Sequence, residues 1–424
     1  MNDEDDPISF IGQYKLYHRY STDAPPQYGV VISIQILGHA LGYETVNLIQ
    51  PKAVHHNIYG VLVGKSTVSR KTTSEDIGDD TYPTDRKMLN SSSPERFLEE
   101  LSDNPERFQF LGEFSYLLKG INSRGSYMSP FMELYDDFHG CPENYKRGLT
   151  TRKGKKSTYV IGNAYLSVAS TITPEVLRER LTLELIEGGF LPRWFIVFGE
   201  GNPKRRERLR SDHLKLKTSL KNLVTQIVGL ERDIVFLLDD EALDLYNLIE
   251  QDCYTRYDRV LPFVGRYMNY MIAFADIIAV SDAVGCMTGK NDGNEVTSLS
   301  QLLKLNNDTR IEVGDKKDDN TKVWIPKQYI DRAWQIIEPS LDYVTTLTDY
   351  IELGIPVAKL TEYMRKHKTA THSDAMRNCR LDKDKMRLAV DTLEERSELE
   401  EETKQRYRAN GSEVDYKVYH WIGK

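Results

Sequence analysis

The sequence is poor in cysteine. Its 424 residues hold four, Cys141, Cys253, Cys286 and Cys379, far apart and without a C-x-x-C spacing. That argues against a disulfide framework or a zinc knuckle and points to a reducing, cytoplasmic setting. His367, His372 and His420 also lack metal-ligand spacing and read as surface residues. No run of about 18 apolar residues occurs, so no ordinary membrane span is expected. The opening MNDEDDP has no basic flank and no apolar core, so no secretory signal is expected. Positive charge is not in excess either: 56 Lys and Arg face 64 Asp and Glu, for a net charge of −8. Any nucleic-acid contact must therefore lie in local basic clusters. No internal repeat is present.

A chain of this length accommodates roughly two to four domains. Residues 1–50 read as an acidic tip followed by helices, with Asp23-Ala24-Pro25-Pro26 as a turn and 28–47 as the second helix. Within 51–290, short apolar runs at 57–63, 108–111, 159–169 and 194–198 alternate with helical stretches. Such alternation predicts an α/β layer with a largely parallel sheet. A strongly apolar helix is expected at 266–284. Residues 291–323 are polar and read as a loop or linker. In 324–424, helices are expected at 327–352, 355–367, 372–379 and 382–399. Asn410-Gly411 then sits between two β-prone runs, a strong hairpin signal. Helices followed by a terminal hairpin describe a winged helix.

The chemistry is concentrated after Val61-Leu62-Val63. The run Gly64-Lys65-Ser66-Thr67-Val68-Ser69-Arg70-Lys71-Thr72-Thr73 has the layout of a phosphate cradle: strand, Gly-led loop, then Lys-Thr opening a helix. Loop amides surround phosphate oxygens, Lys71 reaches the β/γ-phosphates and the Thr72 hydroxyl holds Mg²⁺. Six residues separate Gly64 from Lys71, one more than in G-x-x-x-x-G-K-[ST], and Arg70 replaces the usual second Gly. Arg70 either touches phosphate or is solvated. The competing reading is a Ser/Thr-rich surface turn. About 40 residues on, an apolar strand ends at Gly112-Glu113-Phe114. A carboxylate there can polarise the water that attacks a γ-phosphate. The acid that usually precedes it is Gly112 here, which leaves metal binding to rest on Thr72; the alternative is a surface Glu after a strand.

These segments resemble one family: the large domain-of-unknown-function P-loop ATPases of phage, plasmid and archaeal mobile-element primase–helicase proteins. The matching residues are Gly64 to Thr72, Ser93-Pro94-Glu95, Gly112-Glu113-Phe114 with Leu117-Leu118-Lys119, Leu134-Tyr135-Asp136, Thr173-Pro174-Glu175, and Gly189-Phe190-Leu191-Pro192-Arg193-Trp194. The likeness covers about 28–290. It implies a RecA/AAA+-like (minichromosome-maintenance-like) core using ATP and Mg²⁺. Lys71 and Thr72 would be the phosphate and metal residues, and Glu113 the catalytic carboxylate. Ser170 or Thr171 would be a polar sensor, and Arg193 and Arg266 arginines acting on a neighbouring subunit. Nothing in the chain resembles a primase domain.

Two further features bear on partners. Residues 145–157 (YKRGLTTRKGKKS) carry six basic residues and no acid. Lys153-Gly154-Lys155 can form a hairpin tip, and the resemblance implies that it points into a ring's pore, where Arg152, Lys153, Lys155 and Lys156 would bind backbone phosphates; the alternative is a solvated loop. A second cluster at 203–210 reads as solvated or intersubunit surface. At the C-terminus Lys404, Arg406 and Arg408 suit a wing on DNA, but Glu394, Glu395, Glu398 and Glu400–Glu402 repel phosphate, so a protein-interaction role competes. The expectation is an ATP-dependent DNA helicase- or translocase-like motor, a homo-oligomer forming a hexameric ring, with no membrane partner. The alternatives are a degenerate, non-hydrolysing DNA-binding or assembly protein and a nucleotide-switched regulator.

Overall fold

The computed structural model describes residues 9–49, 53–88, 94–119, 131–132, 134–135, 145–150, 156–201, 212–289, 296–313, 320–352, 354–407 and 413–423. The chain is a mixed α/β protein whose two larger sheets are built around parallel strand pairs. In the first sheet the order is Lys87–Met88, Glu106–Glu113, Tyr165–Ile172, Tyr59–Val63, Phe195–Phe198, and every neighbouring pair is parallel. The strands Tyr59–Val63 and Tyr165–Ile172 are buried at every position. A strand covered on both faces reads as an unbroken apolar run rather than an alternating one.

The helix Pro26–Leu41 covers this sheet, and Lys71–Thr81 packs against its Glu106–Glu113 and Tyr165–Ile172 strands. The first of these ends at Leu41, earlier than the sequence pattern suggests, because Gly42 takes φ +79 and breaks the ladder. The longest helix, Leu261–Gly289, begins five residues before the expected 266. The overlapping stretch Asp258–Cys286 is long and apolar enough to span a bilayer, yet 83% of its apolar window is buried inside the protein. Packing therefore accounts for its apolarity.

A second sheet runs Arg310–Glu312, Thr321–Ile325, Ile234–Leu238, Val46–Asn47, Val54–His55, with the inner pairs parallel and both edges antiparallel. Residues 296–313 and 320–325, read above largely as loop or linker, are thus built into the fold. Their short helix Leu299–Leu303 buries Leu299, Leu302 and Leu303.

One apolar core gathers residues from Phe10 to Leu347, so the N-terminal helices and most of Lys327–Glu352 belong to it. A second core begins at Val357 and ends at Trp421. Its elements follow as helix Gly354–His367, strand Thr369–Thr371, helices His372–Cys379 and Lys383–Glu395, then strands Leu399–Tyr407 and Glu413–Trp421. The three strands form an antiparallel sheet with Glu413–Trp421 in the middle.

Candidate functional site

The strand Tyr59–Val63 ends at Gly64, and the next helix starts at Lys71. The loop between them is clasped. A Cβ on Gly64 would lie 2.3 Å from the Tyr28 hydroxyl and 2.4 Å from Ser69 Oγ, so only glycine fits. Tyr28 donates to the Val63 carbonyl at 2.6 Å, and Ser69 Oγ donates to the Lys65 carbonyl at 2.8 Å. Thr67 and Arg70 take φ +61 and +50. Left-handed non-glycine residues of this kind hold about 1–3 kcal/mol of strain each and persist where surrounding contacts impose them.

The helix that follows is oddly dressed for an ordinary N-terminus. Its N-cap, Arg70, makes no side-chain cap, and the first turn has no acidic residue. Arg70 and Lys71 instead place positive charge at the positive end of the helix dipole, which an anion would relieve. Lys71 is 6% exposed and makes no hydrogen bond or ion pair among the described residues. Arg70 donates to Asp23 at 3.2 Å, and Thr72 and Thr73 are exposed.

Because all pairs are parallel, three strands end on one edge. The Tyr165–Ile172 strand lies between the other two, with Val63 opposite Ile172, Gly112 opposite Ser170 and Glu113 opposite Thr171. Ser170 Oγ donates to the Gly112 carbonyl at 2.9 Å. Thr171 Oγ1 is buried without a partner among the described residues, and Glu113 is exposed. Lys71, Thr72, Glu113, Ser170 and Thr171 are therefore brought to the same strand-end region. One residue joins them that sequence reasoning missed. Glu75, one turn after Lys71, is 4% exposed, and its Oε1 accepts the Gly112 amide at 2.7 Å. Its Oε2 has no partner among the described residues. Burial, reinforced by Asp76, Asp79 and Glu113 and opposed by the Gly112 amide, pushes this carboxyl up to about 8. The signal was an acid on the helix face that also buries Ser74, Ile77 and Gly78.

These donors fit a phosphate group: a loop whose Gly64 cradle a Cβ would fill, a helix N-terminus without a side-chain cap and an ammonium with no partner among the described residues. Among the described residues no group of three or more His, Cys, Asp or Glu could hold a metal by itself. Magnesium does not need one, since it commonly binds through one or two protein oxygens and substrate phosphates.

Other expected residues lie elsewhere. Arg193 sits in the turn Leu191–Arg193 just before the strand Phe195–Phe198, at the opposite end of the sheet. It is 6% exposed and donates to the Gly189 carbonyl. Arg266 is inside the long helix, its guanidinium 5.6 Å from the Tyr135 ring centre. The strands Tyr145–Thr150 and Lys156–Ile161 pair antiparallel. Arg152, Lys153 and Lys155 fall outside the described residues, and Lys156 opens the second strand. At the C-terminus Lys404 pairs with Glu402 at 3.0 Å and Lys417 with Glu401 at 2.8 Å. Arg406 lies on the strand opposite Val414, and Arg408 is outside the described residues.

A cavity of about 520 Å³ opens at the other end of the strands, lined by Arg86, Glu106, Asn163 and Arg232 among others. Its charges already satisfy one another. Arg232 grips Glu106 with two bonds at 2.6 and 2.9 Å, and Arg86 adds a third. Burial would raise the Glu106 carboxyl, but these guanidiniums and the Tyr43 amide hold it down to about 2. At the Lys71 end, by contrast, Lys71, Glu75 Oε2 and Thr171 Oγ1 lack partners among the described residues, and that end is the better candidate. No protein-family model and no curated protein matches the chain.

Proposed function

We propose that the protein is a RecA/AAA+-like P-loop ATPase that moves DNA, a helicase- or translocase-like motor of a mobile element assembled as a hexameric ring. The observation that carries this reading is Lys71, a residue only 6% exposed that makes no hydrogen bond or ion pair among the described residues, at the loop–helix junction and on the same strand-end edge as Glu113. Strand order supports it: a strand ending in Ser170 and Thr171 separates the loop strand from the carboxylate strand, as the sensor of such a core requires. In α/β sheets ligands gather at such carboxyl ends of strands.

In this reading the Gly64–Arg70 amides and the helix N-terminus hold the triphosphate, and Lys71 neutralises charge on its β/γ oxygens. Glu113 orients and polarises the attacking water. The Thr171 hydroxyl, without a partner among the described residues, would bond the γ-phosphate. Magnesium, leaning on Thr72, would neutralise charge developing on the phosphates. Arg193 acts on a neighbouring subunit if assembly draws it off the Gly189 carbonyl. The paired strands 145–150 and 156–161 suit a basic pore hairpin, and the helix–strand–helix–helix–strand–strand order of 354–421 suits a winged helix. The acids beside Lys404 and Lys417 favour a protein partner for that module over DNA. The free thiols Cys253, Cys286 and Cys379 suit a reducing cytoplasm.

ATP turnover with and without single-stranded DNA tests the motor. Wild type should be stimulated by DNA, Lys71→Ala should be inactive, and the Lys153→Ala/Lys155→Ala double variant should keep basal turnover but lose stimulation. A second reading, a non-hydrolysing DNA-binding or assembly protein, is favoured by Gly112 standing where a carboxylate would help order magnesium. Nucleotide binding without any turnover would select it.

A further inference from the structure

Gly112 leaves the proposed site short of one acid, and the neighbouring helix holds an unused one. We propose, on the phosphate-site reading above, that Glu75 is the metal-facing carboxylate that position 112 lacks, supplied from the phosphate-loop helix instead of the strand.

Three observations carry this. First, position 112 is open. Gly112 takes φ +73, and a Cβ built there would have nothing within 4 Å. That backbone conformation disfavours any side chain at 112, and among the described residues none fills the space beside it. Second, Glu75 lies beside it. Its Oε1 accepts the Gly112 amide at 2.7 Å, which anchors the carboxyl next to the residue it would replace. Third, its other oxygen is unused. Glu75 is 4% exposed and Oε2 has no partner among the described residues. A buried oxygen left so opposes folding, and such atoms in a native fold call for a reason.

The placement on the helix agrees. Residues three and four apart share a helix face. Thr72 precedes Glu75 by three positions and Lys71 by four, so hydroxyl, ammonium and carboxyl rise from one side of adjacent turns. Yet Lys71 and Glu75 form no ion pair, which leaves the lysine for phosphate and the carboxyl for metal. One carboxylate, one hydroxyl and two phosphate oxygens make an ordinary magnesium environment, completed by water.

The test separates nucleotide from metal. A fluorescent ADP is titrated into the full chain in EDTA and again with Mg²⁺, and Mn²⁺ binding in the presence of ADP is followed by electron paramagnetic resonance. Glu75→Gln keeps an oxygen for the Gly112 amide but removes the charge. It should retain the affinity measured in EDTA, lose the gain from Mg²⁺, and weaken Mn²⁺ binding by about 10–100-fold. Glu75→Asp should keep part of the gain. If Glu75→Gln retains the full wild-type gain, or Gln and Asp behave alike, Glu75 is not the ligand although the phosphate site stands. If wild type binds no ADP under either condition, the phosphate-site reading itself falls, and this inference with it.

Discussion

The Tyr28 hydroxyl donates to the Val63 carbonyl at 2.6 Å, at the point where the central strand turns into the Gly64 loop. It also reaches the Gly199 carbonyl at 3.3 Å, so one phenol ties the second helix to two parallel strands. Beside it, His18 Nε2 and Ser74 Oγ lie 2.9 Å apart and join the first helix to the Lys71 helix. The N-terminal helices therefore form the back wall of the candidate site. Tyr28→Phe should lower stability by about 0.5–1.5 kcal/mol, the net worth of one hydrogen bond, because the Gly199 amide still donates to the Val63 carbonyl at 2.9 Å. The urea midpoint should fall with an unchanged m-value; an unchanged midpoint would show that the clasp carries no weight.

Gly64→Ala tests the close approach directly. The new Cβ would meet the Tyr28 hydroxyl at 2.3 Å and Ser69 Cβ at 2.5 Å. Overpacking of this kind disfavours the fold by about 1–3 kcal/mol. The same displacement should weaken ATP binding by about tenfold or more. Fluorescence titration alongside thermal melting reads both, and an alanine variant equal to wild type in each would contradict the geometry.

His39 gives a pH dependence with a definite sign. Its ring is fully buried: Nε2–H donates to the Tyr165 carbonyl at 3.3 Å, and Nδ1 accepts from the Tyr82 hydroxyl. Burial holds its pKa down to about 3, with Glu106 opposing and Arg86 assisting. Below the unfolded value of about 6.5 the unfolded chain takes up a proton that the native ring refuses, so stability falls as pH drops. The stability difference between wild type and His39→Gln should move against wild type by about 1.4 kcal/mol per pH unit below 6.5. Parallel pH profiles from denaturant titrations would show that the native ring titrates normally.

Asp276 lies inside the longest helix with no exposure. His56 Nε2 is 2.8 Å from its Oδ2, and Asn47 Nδ2 donates to both oxygens at 3.0 and 3.2 Å. This cluster pins the second sheet to the core helix. Removing one partner of a buried pair strands the other, at about 3–5 kcal/mol. Asp276→Ala should unfold at a correspondingly lower urea concentration, and a loss below about 1 kcal/mol would mean the pair is solvated.

Much of the local architecture was legible because its signals are local. The Gly64 loop with Lys71 at the helix start, Glu113 at a strand end and the C-terminal helices at 327–352 and 372–379 follow from turn residues, caps and apolar spacing. Sheet order was not legible: Glu106–Glu113 lies beside Tyr165–Ile172 through pairings some 60 residues apart, which no short window contains. The strand Thr321–Ile325 was hidden among polar neighbours, although its alternation of buried Thr321, Val323 and Ile325 with exposed Lys322 is a period-2 signal. Glu75 escaped notice because a buried acid is visible only once its helix face is known. Arg193 was placed in the right turn, but its bond to Gly189 depends on a backbone bend that composition does not reveal.

The account turns on Lys71. Equilibrium binding of a fluorescent ATP analogue with Mg²⁺ should give saturable binding to wild type, and Lys71→Ala should weaken it by at least about tenfold while keeping the native circular dichroism spectrum. Equal affinity in the two proteins, or no binding to well-folded wild type, would contradict the assignment of this helix start as a triphosphate site.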